Sequence, residues 1–136
     1  MSSIAVFGVI GAGQMGQGIA QVAAQTGCRV PLLDASLELA EQGLGRVQRA
    51  VARLVEKGKM SSSDGEALVS RIEPAGDYAV LGEADFVVEA ATEQIELKQK
   101  IFESADRAMR EGAILASNTS SISLTKLAAV TSRPER

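Results

Sequence analysis

The feature that most constrains this chain is an apolar run, Ile4-Ala5-Val6-Phe7-Gly8-Val9-Ile10, that leads without a break into Gly11-Ala12-Gly13-Gln14-Met15-Gly16. A run with no polar alternation is the pattern of a strand buried on both faces. A G-x-G-x-x-G placed directly after such a strand and at the start of a helical pattern marks a dinucleotide-binding βαβ unit. Each glycine then has a job. Gly11 makes the tight turn out of the strand, Gly13 lets the backbone approach a pyrophosphate, and Gly16 lets the helix pack against the sheet. The amides of Gln14 and Met15 face the phosphates, where unpaired N–H groups and the helix dipole favour negative charge. The other reading of the same residues is a glycine-rich turn in some other α/β domain.

A second apolar run, Arg29 to Leu33, ends at Asp34. A carboxylate there accepts hydrogen bonds from the adenosine ribose hydroxyls and repels the extra phosphate of NADP. Ala35-Ser36 offers no arginine to hold that phosphate, so NAD is the expected cofactor.

The rest of the chain alternates between the two periodicities. Met15, Ile19, Val22 and Ala23 recur with helical spacing up to Gly27, and the second strand follows with Pro31 inside it, a residue that prefers an edge or a bulge. From Ser36, a candidate N-cap, a long amphipathic helix runs to Gly58. A second helix is expected from Ser61-Ser62-Ser63-Asp64 through Ile72. This pair reads as a helical hairpin inserted after the second strand, with a binding role or simply as a covering layer. A short helical turn is expected at Asp77 to Leu81, then a strand at Asp85 to Ala90 and a helix from Ile95 to Met109 with Leu97, Ile101, Phe102, Ala105 and Met109 on one face. A strand at Ala113 to Ala116 and a last helix at Leu124 to Val130 complete the pattern. Strands alternating with helices predict an α/β fold with a Rossmann-type, doubly wound parallel sheet, whose ligands lie across the carboxyl ends of the strands.

Bulk properties narrow the function classes. The chain has 136 residues, 46% of them hydrophobic, which suits one domain spanning the whole length. Its 14 basic residues are outnumbered by 17 acids, for a net charge of −3, so neither a nucleic acid nor a membrane surface is an expected partner. The first cation after Met1 is Arg29, which does not fit the charged start of a secretion signal; a cytoplasmic location is expected. Cys28 is read as a small core residue. Histidine is absent, which removes the commonest general base and metal ligand, and no metal is expected.

Several of these segments together resemble one family. The stretch from Gly11 to Ala20, the strand end Val87-Val88-Glu89-Ala90, Glu93 followed by Glu96-Leu97-Lys98, and Ala116-Ser117-Asn118-Thr119-Ser120-Ser121 are similar to the NAD-binding domain of the L-3-hydroxyacyl-CoA dehydrogenases, including 3-hydroxybutyryl-CoA dehydrogenases. The resemblance implies oxidation of L-3-hydroxyacyl-CoA to 3-ketoacyl-CoA by hydride transfer to NAD, in fatty-acid or short-chain acyl-CoA metabolism such as β-oxidation. It matches Asp34 to the ribose acid, Glu93 and Lys98 to positions on the nicotinamide side of the cofactor, Asn118 to an asparagine near the nicotinamide ribose, and Ser120 to a serine that bonds the substrate oxygen. Lys57 and Lys59 fall where the family has an arm that meets CoA; the other reading is solvated surface lysines. Gln14 stands where threonine is usual, with its backbone amide the part that matters.

Local chemistry offers alternatives at these positions. Asn118, Ser120 and Ser121 could only cap the next helix, Glu89 could be a rim acid satisfied by amides, and Glu93 with Lys98 could be a solvated charge cluster. The resemblance also implies a histidine base, a C-terminal helical domain and a homodimer in the complete enzyme. The 136 residues supply no histidine, so they are expected to be inactive alone. The alternative function is a stand-alone NAD-binding or regulatory module without catalysis.

Overall fold

The structure, a computed structural model, describes residues 5–90 and 95–117. Five strands, β1 (Phe7–Ile10), β2 (Val30–Leu33), β3 (Ile72–Ala75), β4 (Phe86–Glu89) and β5 (Ile114–Ser117), form one sheet in the order β3-β2-β1-β4-β5. All neighbouring pairs are parallel. The four helices are α1 (Gln14–Gln25), α2 (Leu37–Glu56), α3 (Ser62–Ser70) and α4 (Ile95–Ala108), and a short 3-10 helix, Tyr78–Glu83, precedes β4. The chain order reverses between β1 and β4. This is the doubly wound Rossmann arrangement expected from the sequence, and its ligand crevice lies at that reversal.

The two faces of the sheet carry separate cores because side chains alternate along each strand. Val9, Val30 and Leu32 pack with Ala20, Ala23 and Ala24 of α1, Val47 and Val51 of α2 and Leu68 of α3. Ile10, Leu33, Val87 and Leu115 pack on the other face with Ile101, Phe102 and Ala105 of α4. Ser36 and Ser61 cap α2 and α3, accepting from Leu39 N at 3.2 Å and Asp64 N at 3.1 Å, as their positions in the sequence suggested.

Two expectations need correcting. Ile72 does not end a helix; it opens β3, which pairs Val30↔Ile72 through Leu33↔Ala75 at the edge of the sheet. The strand was hidden because Ile72 follows Leu68 at helical spacing and Pro74 reads as a break. Arg71 O accepts from Val30 N and Ala75 O from Asp34 N, so odd-numbered residues of β3 face β2 and Pro74 turns its missing donor to the open edge. Because β3 follows α3, the two helices are the β2-to-β3 crossover itself rather than an insertion beside one.

Pro31 keeps its expected place inside the second strand. It lies in β2, which is an interior strand. Arg29 N bonds Ala5 O, so the odd positions of β2 face β1, and Pro31 leaves one rung of the β1–β2 ladder unmade. The second correction is the inner face of two helices. Met15 and Val22 are 56% and 63% exposed, while Gly16, Ala20, Ala23 and Ala24 bury α1. In α4, Leu97 is 45% exposed and Lys98 takes its place inside. Small residues let α1 sit close to the sheet, which leaves its larger side chains on the flank. Cys28 is buried, as read.

The strand starts are tied by Asp85, whose carboxylate accepts from Ala5 N and Val6 N, each at 2.9 Å, and from Arg110. The Val6 amide, the Arg110 guanidinium and the Ala5 amide hold its carboxyl below the ordinary value. A depressed folded pKa gives stability that is full above the unfolded value, about 4, and is lost as pH falls through the folded one. Asp85→Asn should therefore lower the urea midpoint at pH 7, with the gap to the unmodified chain closing in acid. A gap independent of pH from 7 to 2 would remove Asp85 from this role.

Candidate cofactor site

The crevice is built around the first turn. Gly11 has φ +105°, a left-handed conformation that favours glycine, and its amide bonds Leu33 O at 2.7 Å, so the turn starts from the end of the β1–β2 ladder. Gly13 is the N-cap of α1, with an extended backbone (φ −70°, ψ −169°) and no side chain to satisfy the helix. The first turn of α1 holds no acid, so the amides at Gln14 and Met15 keep their donor capacity for an anion. A Cβ at Gly13 would meet nothing within 4 Å, whereas one at Gly16 would lie 1.6 Å from Gly11 O. Gly13 therefore keeps a space open, and Gly16 allows contact with the turn's own backbone, a tighter approach than helix-to-sheet packing.

Asp34, directly after β2, bonds the turn itself. Its Oδ2 accepts from Ala12 N at 2.7 Å and its Oδ1 from Ala35 N at 2.6 Å. Each oxygen retains acceptor capacity, and the carboxylate is held in one orientation. The residues thus fit a dinucleotide: an open cradle at the start of α1, and an oriented acid bonded to the turn's own Ala12 amide.

Behind β4 the structure holds a charged pair that sequence reading separated. Lys98 Nζ donates to Glu89 Oε1 at 2.8 Å, with side chains 1% and 0% exposed. A solvated charge cluster is excluded for Lys98. Glu89 ends β4 and Lys98 lies in the first turn of α4, so the pair sits beneath the carboxyl rim of the sheet. Tyr78, the one tyrosine of the chain, lies near the same rim; burial, then the charges of Glu89 and Asp34, raise its phenol pKa and keep it neutral. Neither Glu89's partner nor Tyr78 was legible from local pattern. Lys57 and Lys59 are exposed at the end of α2. Glu93, Asn118, Ser120, Ser121 and the helix expected at Leu124 to Val130 lie outside the described residues.

Two further residues reach the turn from α2. Arg46 Nη1 donates to Ala12 O at 2.9 Å, and a Cβ at Gly43 would lie 2.6 Å from that of Ala12. A glycine inside a long helix costs about 1 kcal/mol against alanine, which was the available signal that something packs closely there. Beside the crevice, Phe7, Met15, Ile19, Val22 and Cys28 line an apolar recess of about 1100 Å³ along the flank of α1. Among the described residues no helix is long and apolar enough to cross a membrane.

The fold and this turn define a Rossmann-type dinucleotide-binding domain. The family model described as 3-hydroxyacyl-CoA dehydrogenase, NAD binding domain, matches residues 6–136, and the chain belongs to that family. It is 45% identical over 129 residues to the 3-hydroxybutyryl-CoA dehydrogenase of Bradyrhizobium diazoefficiens, covering 95% of this chain and 44% of the relative. A Bacillus subtilis protein named as a probable 3-hydroxybutyryl-CoA dehydrogenase is 44% identical over 128 residues, covering 94% and 45% of the two chains. The crystal structure of (S)-3-hydroxybutyryl-CoA dehydrogenase from Ralstonia eutropha superposes with a TM-score of 0.93 at 44% identity, covering 98% of this chain and 47% of that one. The chain thus spans about half the length of these relatives.

Proposed function

We propose that this chain is the cofactor-holding part of an NAD-dependent dehydrogenase that interconverts L-3-hydroxyacyl-CoA and 3-ketoacyl-CoA. The observation that carries the reading is the open Gly13 cradle facing an Asp34 already fixed by the Ala12 and Ala35 amides, in a chain of this family. The cradle leaves room for the pyrophosphate, the amides of Gln14 and Met15 donate to it, and the free lone pairs of Asp34 accept from the ribose hydroxyls. Bound NAD supplies the hydride acceptor. Glu93 and Lys98 border the nicotinamide side, Asn118 the nicotinamide ribose, and Ser120 holds the C3 oxygen of an acyl-CoA substrate. Lys98 does so from its pair with Glu89. The general base comes from outside these 136 residues, which hold no histidine.

Cofactor choice tests the first half of the reading. NADH should bind at least about tenfold tighter than NADPH, because a phosphate on the 2′ oxygen would face the Asp34 charge. Asp34→Ala should narrow that ratio and weaken both cofactors, since it also frees the Ala12 amide. Equal affinities in the unmodified chain, measured by calorimetry, would remove Asp34 from this role. The second half is tested by a chimera in which these residues replace the matching part of the Ralstonia enzyme. It should reduce acetoacetyl-CoA with NADH; a chimera that folds and binds NADH but shows no turnover would sink the dehydrogenase reading.

A further inference from the structure

We propose that Arg46 is a positioning residue for the cofactor: from α2 it holds the Ala12 carbonyl and so fixes the glycine turn that receives the pyrophosphate. The inference rests on the NAD reading above and adds a residue to it. Ala12 is 1% exposed and is gripped on three sides. Its amide donates to Asp34 Oδ2 at 2.7 Å, its carbonyl accepts from Arg46 Nη1 at 2.9 Å, and its methyl faces Gly43, where a Cβ would come within 2.6 Å. The next residue is Gly13, whose backbone has no side chain to brace it and whose neighbourhood is open. Gly13 is fixed on its helix side, where its carbonyl accepts from Gln17 N at 2.8 Å, so its remaining freedom lies in the peptide that joins it to Ala12. Holding both peptide planes of the preceding residue removes that freedom before the cofactor arrives, so less ordering remains to be done on binding.

The geometry separates this role from a general contribution to the fold. Arg46 is an exposed residue of α2, where water competes for its guanidinium, while the helix is held to the sheet by buried Val47 and Val51. Its neighbour Arg49 lies on the same outer face and borders the same shallow groove, so it carries the same charge near the site, whereas Arg46 bonds the turn. Arginine suits the task because a planar fork on a long stem can reach a carbonyl across the helix surface.

The test compares Arg46→Met, Arg46→Lys and Arg49→Met with the unmodified chain, using NADH, ADP-ribose and adenosine as probes and urea unfolding as the control. Arg46→Met should weaken NADH and ADP-ribose alike by about five- to tenfold, the loss of one hydrogen bond to the turn, with adenosine and the urea midpoint little changed. Arg46→Lys, which can still donate to the Ala12 carbonyl, should recover most of the affinity, and Arg49→Met should bind as the unmodified chain does. The proposal is overturned if Arg46→Met binds NADH within twofold of the unmodified chain. It is overturned equally if adenosine loses as much as ADP-ribose, which marks general loosening, or if Arg49→Met matches Arg46→Met, which marks a charge effect. Failure of the unmodified chain to bind NADH would instead overturn the cofactor reading, and this inference with it.

Discussion

Gly13→Val should abolish measurable NADH binding while the chain keeps its fold. The backbone at Gly13 (φ −70°, ψ −169°) is one that any L-residue adopts, and a Cβ placed there meets nothing within 4 Å. Valine therefore meets no clash and loses only the N-cap preference of glycine, about 1 kcal/mol. Its branched side chain would fill the space left beside the free amides of α1, and a pyrophosphate displaced from them loses two or more charge-assisted hydrogen bonds. At about 1.5–3 kcal/mol each, two such bonds correspond to roughly 10² to 10⁴ in affinity. Gly16→Val is the contrasting case, because its Cβ would lie 1.6 Å from Gly11 O and the turn itself must break. Calorimetry with circular dichroism checks both. Native dichroism with undiminished NADH binding in Gly13→Val would reduce the turn to a structural feature.

Glu89→Ala should be among the most destabilising single substitutions in the chain, by about 3–5 kcal/mol, because it leaves the Lys98 ammonium buried without that carboxylate. Both side chains are almost wholly inaccessible, at 0% and 1%, so water cannot replace the lost partner in place. Such a loss is a large share of the 5–15 kcal/mol that holds a typical domain together. Removing both charges is a different experiment. Glu89→Leu with Lys98→Met keeps the volume and discards the desolvation cost, and its stability should return close to that of the unmodified chain. If the double variant is stable yet binds NADH poorly, the pair serves the crevice rather than the fold. A Glu89→Ala chain with an unchanged urea midpoint would show that the pair carries no net stabilisation.

Much of this architecture was legible locally. The β1 run, the glycine turn and Asp34 announce themselves within one βαβ unit, because the constraints are covalent neighbours: a buried strand must be apolar on both faces, and a turn with a left-handed residue must carry glycine at Gly11. The caps at Ser36 and Ser61 are legible for the same reason, since a side chain that bonds an amide three residues on needs no distant partner. β3 was not legible, because a four-residue edge strand is defined by its pairing with β2 and its own residues continue a helical spacing.

The inner faces of α1 and α4 show where local pattern stops. Periodicity says that a helix has an apolar stripe, and it chose the large residues, Met15 and Val22 in one helix and Leu97 in the other. The packed structure kept Ala23 of that stripe and added Ala20 and Ala24, because close approach to the sheet favours small side chains. In α4 it chose Lys98, because Glu89 waits on the facing strand and two buried charges offset each other's desolvation only when they meet. What the sequence determined by itself was the parallel α/β fold, the place of the cofactor turn and the acid that answers it, all written in residues close along the chain. The tertiary structure alone decided which side chains hold that turn and rim in place. Arg46 and Gly43 on Ala12, and Lys98 on Glu89, come from separate elements, and only the packing of helices on the sheet brings them within bonding distance.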